Sequence, residues 1–184
     1  MARPNGRGSA RAFATLRAPG AGAALVLLAA EALGAGAPLA GTVLDGPDGA
    51  VAIDDYRGRW TYVDFFASWC APCRASFPFM DALVARHAEE GLAVLAIGLD
   101  EDPADARTFA EALSPSFDVA FDPSGASAEA VGLVAMPSSY LLAPDGTVAW
   151  SHAGFRGSDA EAIAATVAEA LGGAGLADAD GEGR

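Results

Sequence analysis

The chain has 184 residues, which is enough for one domain of ordinary size with short appendages. Its formal charge of −13 repels nucleic-acid phosphates, so we predict no nucleic-acid partner. All of its basic residues are arginine, which excludes Schiff-base chemistry and a P-loop lysine. Two cysteines and two histidines do not have the spacing of a four-ligand zinc site. What remains is an acidic globular domain whose chemistry depends on few side chains.

The amino terminus has the order of a secretory signal. Four arginines and no acidic residue occupy the first 17 positions, an apolar run follows over 18–30, and small residues continue to position 40. The apolar run is shorter than a membrane-spanning helix, and Glu31 follows it. We predict that residues 1–37 form a cleaved signal peptide or, alternatively, that residues 18–40 hold an uncleaved membrane anchor. Either way the protein is expected to be exported, periplasmic or otherwise extracytoplasmic, where disulfides persist.

Strand and helix patterns alternate along the rest of the chain. Apolar and β-branched runs between turn-rich segments predict strands, and apolar residues at helical spacing predict helices. The predicted strands cover 42–44, 50–53, 60–66, 92–99, 117–121, 139–142 and 147–152, and the predicted helices cover 71–90, 103–113, 126–131 and 158–171. This alternation predicts a largely parallel sheet that is covered on both faces and closed by an antiparallel hairpin.

The last helix has signals at both ends. Ser158 and Glu161 have the spacing of a capping box, and Gly172 and Gly173 predict where the helix stops. The small and acidic residues that follow predict a disordered tail over 173–184, which leaves 38–172 as the folded domain.

The chemistry is concentrated between Trp69 and Cys73. Cys70 lies where the predicted central strand is followed by a helix, and the helix dipole favours its thiolate there. Cys73 lies within disulfide reach three residues later and is suited to resolve a mixed disulfide. Pro72 fits the first helical turn, where its missing N–H has no cost. The pattern predicts a redox-active cysteine pair.

Two other roles are compatible with a Cys-x-x-Cys pair. The pair would form half of a metal site if His87 and His152 supplied further ligands, but His87 falls on an apolar helix face and His152 in a late strand. The pair would also form a structural disulfide, although a bridge across two intervening residues constrains the unfolded chain little. We therefore predict no bound metal and no organic cofactor.

The segment from Val63 to Cys73 resembles the active-site strand and turn of the thioredoxin superfamily. Pro78 falls where the active-site helix of that family kinks, and Met136-Pro137 resembles its cis-proline loop. The amino-terminal hairpin, the stretch 77–80 and the extra strand and helix at 117–131 resemble the TlpA/ResA-like branch of exported thiol-disulfide oxidoreductases. The resemblance covers about 38–172 and implies an α/β thioredoxin fold: a central mixed sheet flanked by helices, with an N-terminal β-hairpin and an extra strand-helix insertion.

The resemblance also implies a binding site and partners. The peptide bond before Pro137 is expected to be cis, and Met136 would offer its backbone to an extended substrate peptide. Trp69 is expected to be an exposed platform beside Cys70, with Pro72 next to it. The expected partners are protein thiols and disulfides, with a membrane thiol carrier as electron donor. We expect a monomer that works more as a reductant than as an oxidant, for apocytochrome c or for other exported thiols.

Asp64 is the only charged residue in the predicted central strand. In thioredoxins an aspartate here lies buried behind the cysteine pair beside a lysine and takes the proton of the resolving thiol. This chain has Ala96 near the lysine position, and it has Ser76 where ResA-like members carry a glutamate. Without a cation, desolvation would raise the pKa of a buried Asp64, as a general base near neutral pH requires. A strand-end aspartate that faces water is the alternative.

Two other functions share this fold and setting. A peroxiredoxin needs a threonine three residues before its reactive cysteine, and this chain has Ala67, which offers no hydroxyl. A copper-delivery protein pairs two thiolates with a distal histidine, for which His152 is the candidate in the second half of the chain. Thiol-disulfide exchange is the function that the residues favour.

Overall fold

A computed structural model describes residues 36–177 of the chain. Most of the predicted leader and the end of the predicted tail lie outside the described residues, so both remain predictions. Leu39 is buried in the core, which limits any anchor to residues that precede it. Between residues 36 and 177, no helix is both long enough and apolar enough to cross a membrane.

The described residues form one seven-stranded sheet with helices along the chain. The elements in chain order are β1 (Val43–Asp45), β2 (Ala50–Ala52), β3 (Thr61–Phe66), α1 (Ala71–His87), β4 (Ala93–Gly98), α2 (Pro103–Leu113), β5 (Asp118–Phe121), α3 (Ala126–Ala130), β6 (Ser138–Leu142), β7 (Val148–Ala153) and α4 (Ala160–Ala177). The spatial order of the strands is β2-β1-β5-β4-β3-β6-β7. The predicted α/β architecture is confirmed, with its N-terminal hairpin and its inserted β5 and α3.

The sheet is mixed, and only its centre is parallel. Strands β3, β4 and β5 run parallel to one another, whereas the pairs β1–β2, β1–β5, β3–β6 and β6–β7 are antiparallel. Parallel neighbours need a crossover, which α1 and α2 supply, and tight turns join the antiparallel hairpins. The expected mixed sheet with its antiparallel closing hairpin is confirmed, but parallel pairing is confined to β3, β4 and β5, so the sheet is less parallel than the strand–helix alternation predicts.

Strand β3 is buried on both faces because helices or loops cover each side of the sheet. Tyr62 and Phe66 pack in a core cluster with Phe77 of α1. Val63 and Phe65 point to the opposite face and pack in a second cluster. Side chains alternate along a strand, so the residue between Val63 and Phe65 lies on the α1 face. That residue is Asp64.

Helix α4 begins differently from the prediction. The Ser158 hydroxyl donates to Asp159 Oδ1 at 3.2 Å, and the Asp159 carbonyl accepts from the Ile163 N–H at 3.0 Å. Asp159 Oδ2 also accepts from the Arg156 N–H at 2.8 Å. The predicted capping box of Ser158 and Glu161 is therefore wrong, because Asp159 ties the preceding turn to the helix instead.

The end of α4 also differs from the prediction, because the helix continues to Ala177. A glycine ends a helix when it adopts the left-handed conformation. Gly172 and Gly173 do not have a positive φ, so the helix passes through both. The predicted stop near Leu171 is wrong.

Strand β4 approaches α2 closely at Gly98. A Cβ atom at this position would lie 2.8 Å from Ala106 Cβ and 2.9 Å from Phe66 Cζ. The Ala106 methyl belongs to a rigid helix and cannot rotate away. The close packing of sheet and helix therefore requires glycine here.

We expect Gly98→Ala to lower the free energy of unfolding by about 1–3 kcal/mol, because the added methyl overpacks the core. Urea unfolding of the oxidised protein measures the change. Gly157→Ala is the matched control, because no described atom lies within 4 Å of its added Cβ, and it should change stability by less than about 0.5 kcal/mol. Equal stability of the two variants would contradict the close approach.

Candidate active site

Cys70 and Cys73 form a disulfide at the start of α1, with their Cα atoms 5.3 Å apart. Cys70 is the N-cap residue of the helix, and its Sγ accepts from the Cys73 N–H at 3.3 Å. Cys73 is fully buried and Cys70 is 5% exposed. Cys70 thus lies at the helix N-terminus, where the helix dipole stabilises a thiolate. The predicted pairing is present, and Cys70 is the more accessible sulfur.

The residues around Cys70 form an exposed rim. Trp69 is 70% exposed, so it is not part of the core, and Pro72 is exposed in the first turn of α1. The Arg74 guanidinium lies over the Phe109 ring, 4.8 Å from its centroid. Arg74 therefore packs toward α2.

The Met136–Pro137 loop lies at the same end of the sheet as the cysteines. Strand β6 is antiparallel to β3 and places Ser138 opposite Phe65, so the residues before Ser138 lie beside those that follow β3. The Met136–Pro137 peptide bond is cis, as predicted. The Pro137 carbonyl accepts from the Gly154 N–H at 2.7 Å, which ties the loop to the end of β7.

Asp64 is fully buried on the α1 face of β3. Its Oδ1 accepts a hydrogen bond from the Ser139 hydroxyl at 2.6 Å, and its Oδ2 accepts one from the Ser76 hydroxyl at 3.0 Å. Ser76 Oγ also lies 3.0 Å from the Cys73 carbonyl oxygen. The residue opposite Asp64 on β4 is Ala96, as predicted, and it offers no cation.

Burial raises the pKa of Asp64 to about 7, although the hydrogen bonds from Ser139 and Ser76 act in the opposite direction. The prediction of a buried aspartate with a raised pKa is therefore confirmed, and the solvent-facing alternative is wrong. A carboxyl group with a pKa near 7 can both accept and release a proton at neutral pH.

Neither His87 nor His152 is paired with the cysteines in the contacts that the structure describes. His152 Nε2 is 3.6 Å from Asp159 Oδ2, and its ring stacks on Trp150 with 5.8 Å between the ring centroids. His87 is buried at the end of α1. Within the described part of the chain, no cluster of three or more histidine, cysteine, aspartate or glutamate residues could hold a metal ion.

Asp100 is a site residue that sequence reasoning missed. It follows β4, is only 5% exposed, and accepts hydrogen bonds from both the backbone N–H of Ser68, at 2.9 Å, and the Ser68 hydroxyl, at 2.5 Å. Ser68 lies two residues before Cys70, so Asp100 fixes the turn that presents the cysteines. An acidic residue directly after a buried strand was the available signal, but its partner lies 32 positions away.

We expect Asp100→Ala to lower the free energy of unfolding by about 1–3 kcal/mol, because the partly buried Ser68 N–H and hydroxyl lose their acceptor. Thermal unfolding of the oxidised protein measures the loss, and Asp100→Asn should retain part of the stability through its amide oxygen. Glu101→Gln, at the exposed neighbour, is the control and should stay within about 0.5 kcal/mol of wild type. Wild-type stability of Asp100→Ala would contradict the role of the carboxylate.

The chain is similar to several known proteins. A solved structure from Chlorobium tepidum, assigned as the thiol:disulfide interchange protein DsbE, is 40% identical with a TM-score of 0.69, over 71% of this chain and 92% of that one. The exposed lipoprotein thioredoxin Etrx1 of Streptococcus pneumoniae is 30% identical with a TM-score of 0.61, over 70% of this chain and 98% of that one.

Among curated relatives, the thiol-disulfide oxidoreductase ResA of Bacillus thuringiensis subsp. konkukian is 29% identical over 98 residues. That match covers 53% of this chain and 57% of the relative, so the chain spans little more than half the length of the curated relatives it matches. Residues 34–151 match the model of the AhpC/TSA family.

Fold and site together place the chain in a class: with a disulfide-forming cysteine pair at a helix N-terminus, beside a cis-proline loop on a thioredoxin fold, it is similar to proteins named as thiol-disulfide oxidoreductases. The chain belongs to the AhpC/TSA family, and its relatives support the TlpA/ResA-like branch.

Proposed function

We propose that this protein is an exported thiol-disulfide oxidoreductase that acts on protein substrates, as a reductant. The observation that carries the proposal is the Cys70–Cys73 disulfide at the N-terminus of α1, with the Met136–Pro137 loop at the same end of the sheet. The names of the ResA and DsbE relatives support the same class of reaction.

In the proposed reaction, the Cys70 thiolate of the reduced protein attacks one sulfur of a substrate disulfide. A bond forms between Cys70 Sγ and that sulfur, and the other substrate sulfur leaves as a thiolate. Cys73 then attacks Cys70 Sγ, the bond from Cys70 to the substrate breaks, and the second substrate sulfur leaves as a thiolate. Two electrons pass to the substrate, and the protein is left with the Cys70–Cys73 disulfide.

Cys73 must lose its proton before it can attack, and we propose that Asp64 accepts that proton. Asp64 is buried on the α1 face and joined through Ser76 to the Cys73 carbonyl. Its pKa of about 7 suits a group that takes up a proton during resolution and releases it afterwards.

Substrate binding is assigned to the exposed rim around Cys70. Trp69 and Pro72 flank the cysteine on the helix side, and Met136 and Pro137 flank it on the β6 side. An extended substrate segment would pair with the backbone at Met136 and cover the Trp69 ring. Part of Met136 remains exposed, as this role requires.

We propose the direction of the reaction, its extracytoplasmic location and its partners from the similarity to the TlpA/ResA-like branch. A reductant needs a steady electron source, which we assign to a membrane thiol carrier on the exported side. Apocytochrome c and other exported protein thiols are the proposed substrates, with the protein acting as a monomer. The reduction potential of the cysteine pair against glutathione buffers tests the direction, and a potential well above that of glutathione would identify an oxidant instead.

We expect Cys70→Ser to abolish disulfide exchange, because the attacking thiolate is lost. Cys73→Ser should instead accumulate mixed disulfides with substrate, because nothing resolves them. Turnover of a peptide-linked disulfide and mass spectrometry of trapped adducts measure the two outcomes. If Cys70→Ser retained turnover, the assignment of Cys70 as the attacking cysteine would be wrong.

We expect Asp64→Asn to slow resolution by Cys73 on the order of 100-fold at pH above about 7, and to leave the first attack by Cys70 nearly unchanged. The wild-type resolution rate should rise with pH through about 7 as Asp64 ionises, whereas the variant should lack this rise. Single-turnover kinetics across pH measures both. Asp122→Asn is the matched control, since Asp122 is also a buried aspartate bound by serine hydroxyls.

Asp64→Asn should also change how the stability of the fold depends on pH. The folded-state pKa of Asp64, about 7, lies above the ordinary value of 3.8, so its contribution to stability is fully present below pH 4 and is lost as pH rises through 7. Asp64→Asn should therefore gain stability relative to wild type between pH 4 and pH 8, by a few kcal/mol at most. If the free energies of unfolding of wild type and Asp64→Asn changed with pH in parallel, Asp64 would not be a buried carboxyl group without a compensating cation.

A further inference from the structure

Ser76 is placed between two acceptors that belong to different parts of the site. Its Oγ lies 3.0 Å from Asp64 Oδ2 on β3 and 3.0 Å from the carbonyl oxygen of Cys73, one turn earlier on its own helix. The side chain is 1% exposed, so bulk water does not compete for these bonds. Ser76 is thus a buried bridge between the carboxyl group and the resolving cysteine.

A serine hydroxyl has one hydrogen, so Ser76 can donate to only one of these acceptors at a time. While Asp64 is ionised, the carboxylate is the stronger acceptor and takes that hydrogen. When Asp64 is protonated, its own O–H can donate to Ser76 Oγ, and the Ser76 hydrogen is then free to bond the Cys73 carbonyl. The direction of the bond therefore follows the charge of Asp64.

Ser139 binds the same carboxyl group but has no such link to the helix. Its Oγ lies 2.6 Å from Asp64 Oδ1, and its other neighbour is the Tyr62 side chain on β3. A bond from Ser139 therefore stays within the sheet. Both hydroxyls donate to Asp64, but the second neighbour of Ser76 is the Cys73 carbonyl on α1, whereas Ser139 lies beside Tyr62 within the sheet.

No positively charged group faces Asp64 within the described residues. The elements packed around it contribute Tyr62 from β3, Ala96 from β4, Ser139 from β6, and Ser76 with the Cys73 carbonyl from α1. The next position along this row, on β7, is His152, which faces Asp159 instead. The hydrogen-bond partners of the Asp64 carboxyl group among the described residues are therefore two serine hydroxyls.

We propose that Ser76 is a positioning residue that couples the protonation of Asp64 to Cys73, by turning its hydroxyl from the Asp64 carboxylate to the Cys73 carbonyl when Asp64 takes up a proton. The proposal rests on the proposed role of Asp64 in resolution. There the Cys73 thiol proton passes to Asp64, and Ser76 then bonds the backbone of the residue that has just become a thiolate.

The test is an NMR titration of the oxidised protein, in which neither cysteine titrates. The ¹³C resonances of the Asp64 carboxyl group and the Cys73 backbone carbonyl are followed from pH 4 to pH 9. In the wild type, both should change with one midpoint near pH 7. In Asp64→Asn, the Cys73 carbonyl should no longer change near that pH. A wild-type Cys73 carbonyl that does not follow Asp64 overturns the proposal, even if no variant can be purified.

Three serine variants separate coupling from a general structural role. Ser76→Ala and Ser139→Ala each remove one donor to the carboxylate and should each raise the Asp64 midpoint by roughly one pH unit. Only Ser76→Ala should uncouple the Cys73 carbonyl from that midpoint. Ser127→Ala, which removes a buried hydroxyl from Asp122, should leave both resonances unchanged. A Cys73 carbonyl that still follows Asp64 in Ser76→Ala overturns the proposal.

The titration does not depend on catalysis, so its failure differs from failure of the proposed function. Coupled resonances together with a wild-type resolution rate in Asp64→Asn would support the Ser76 link and reject Asp64 as the proton acceptor. Uncoupled resonances together with slow resolution in Asp64→Asn would reject the Ser76 link and leave the role of Asp64 intact.

Discussion

The central constraint on this structure is one carboxyl group buried in the middle of a sheet. Asp64 lies on β3, the strand that ends at the active-site turn and is covered on both faces. Burying a carboxylate without a cation is costly, and the cost appears as a raised pKa. Hydrogen bonds from Ser139 and Ser76 offset part of the cost of burying the carboxylate. The same burial gives Asp64 the pKa that its proposed role as proton acceptor requires.

Serine hydroxyls take the place of cations at other aspartates as well. Asp100 is bound by Ser68, and Asp122 is bound by Ser124 and Ser127. These two aspartates follow the parallel strands β4 and β5, so they collect at the end of the sheet that carries the cysteine pair. None of the three ion pairs formed by the described residues includes a buried aspartate.

The chain has no lysine, and three of its arginines contact aromatic rings rather than the buried aspartates. The guanidinium groups of Arg59, Arg74 and Arg107 each lie over an aromatic ring, 4.7–5.2 Å from its centroid. Arginine thus packs on the surface of the core, while neutral hydroxyls satisfy the buried acids. A hydroxyl can reverse its hydrogen bond when an acid gains a proton, and an arginine cannot. The buried network can therefore respond to protonation without leaving a charge unpaired.

The sequence by itself determined the elements and the reactive pair. Hydrophobic periodicity and turn residues are local, so they located the strands, the helices and the position of Cys70 at a strand–helix junction. Resemblance to the thioredoxin superfamily predicted both the cis bond at Met136-Pro137 and the burial of Asp64, the lone charge in an apolar strand. Only the tertiary structure decided which residues hydrogen-bond the buried aspartates, because Ser139 is 75 positions from Asp64 and Asp100 reaches Ser68 over 32 positions. It also decided that β1 pairs with β5 and that α4 continues through Gly172, since strand pairing and backbone conformation depend on neighbours that are distant in the sequence.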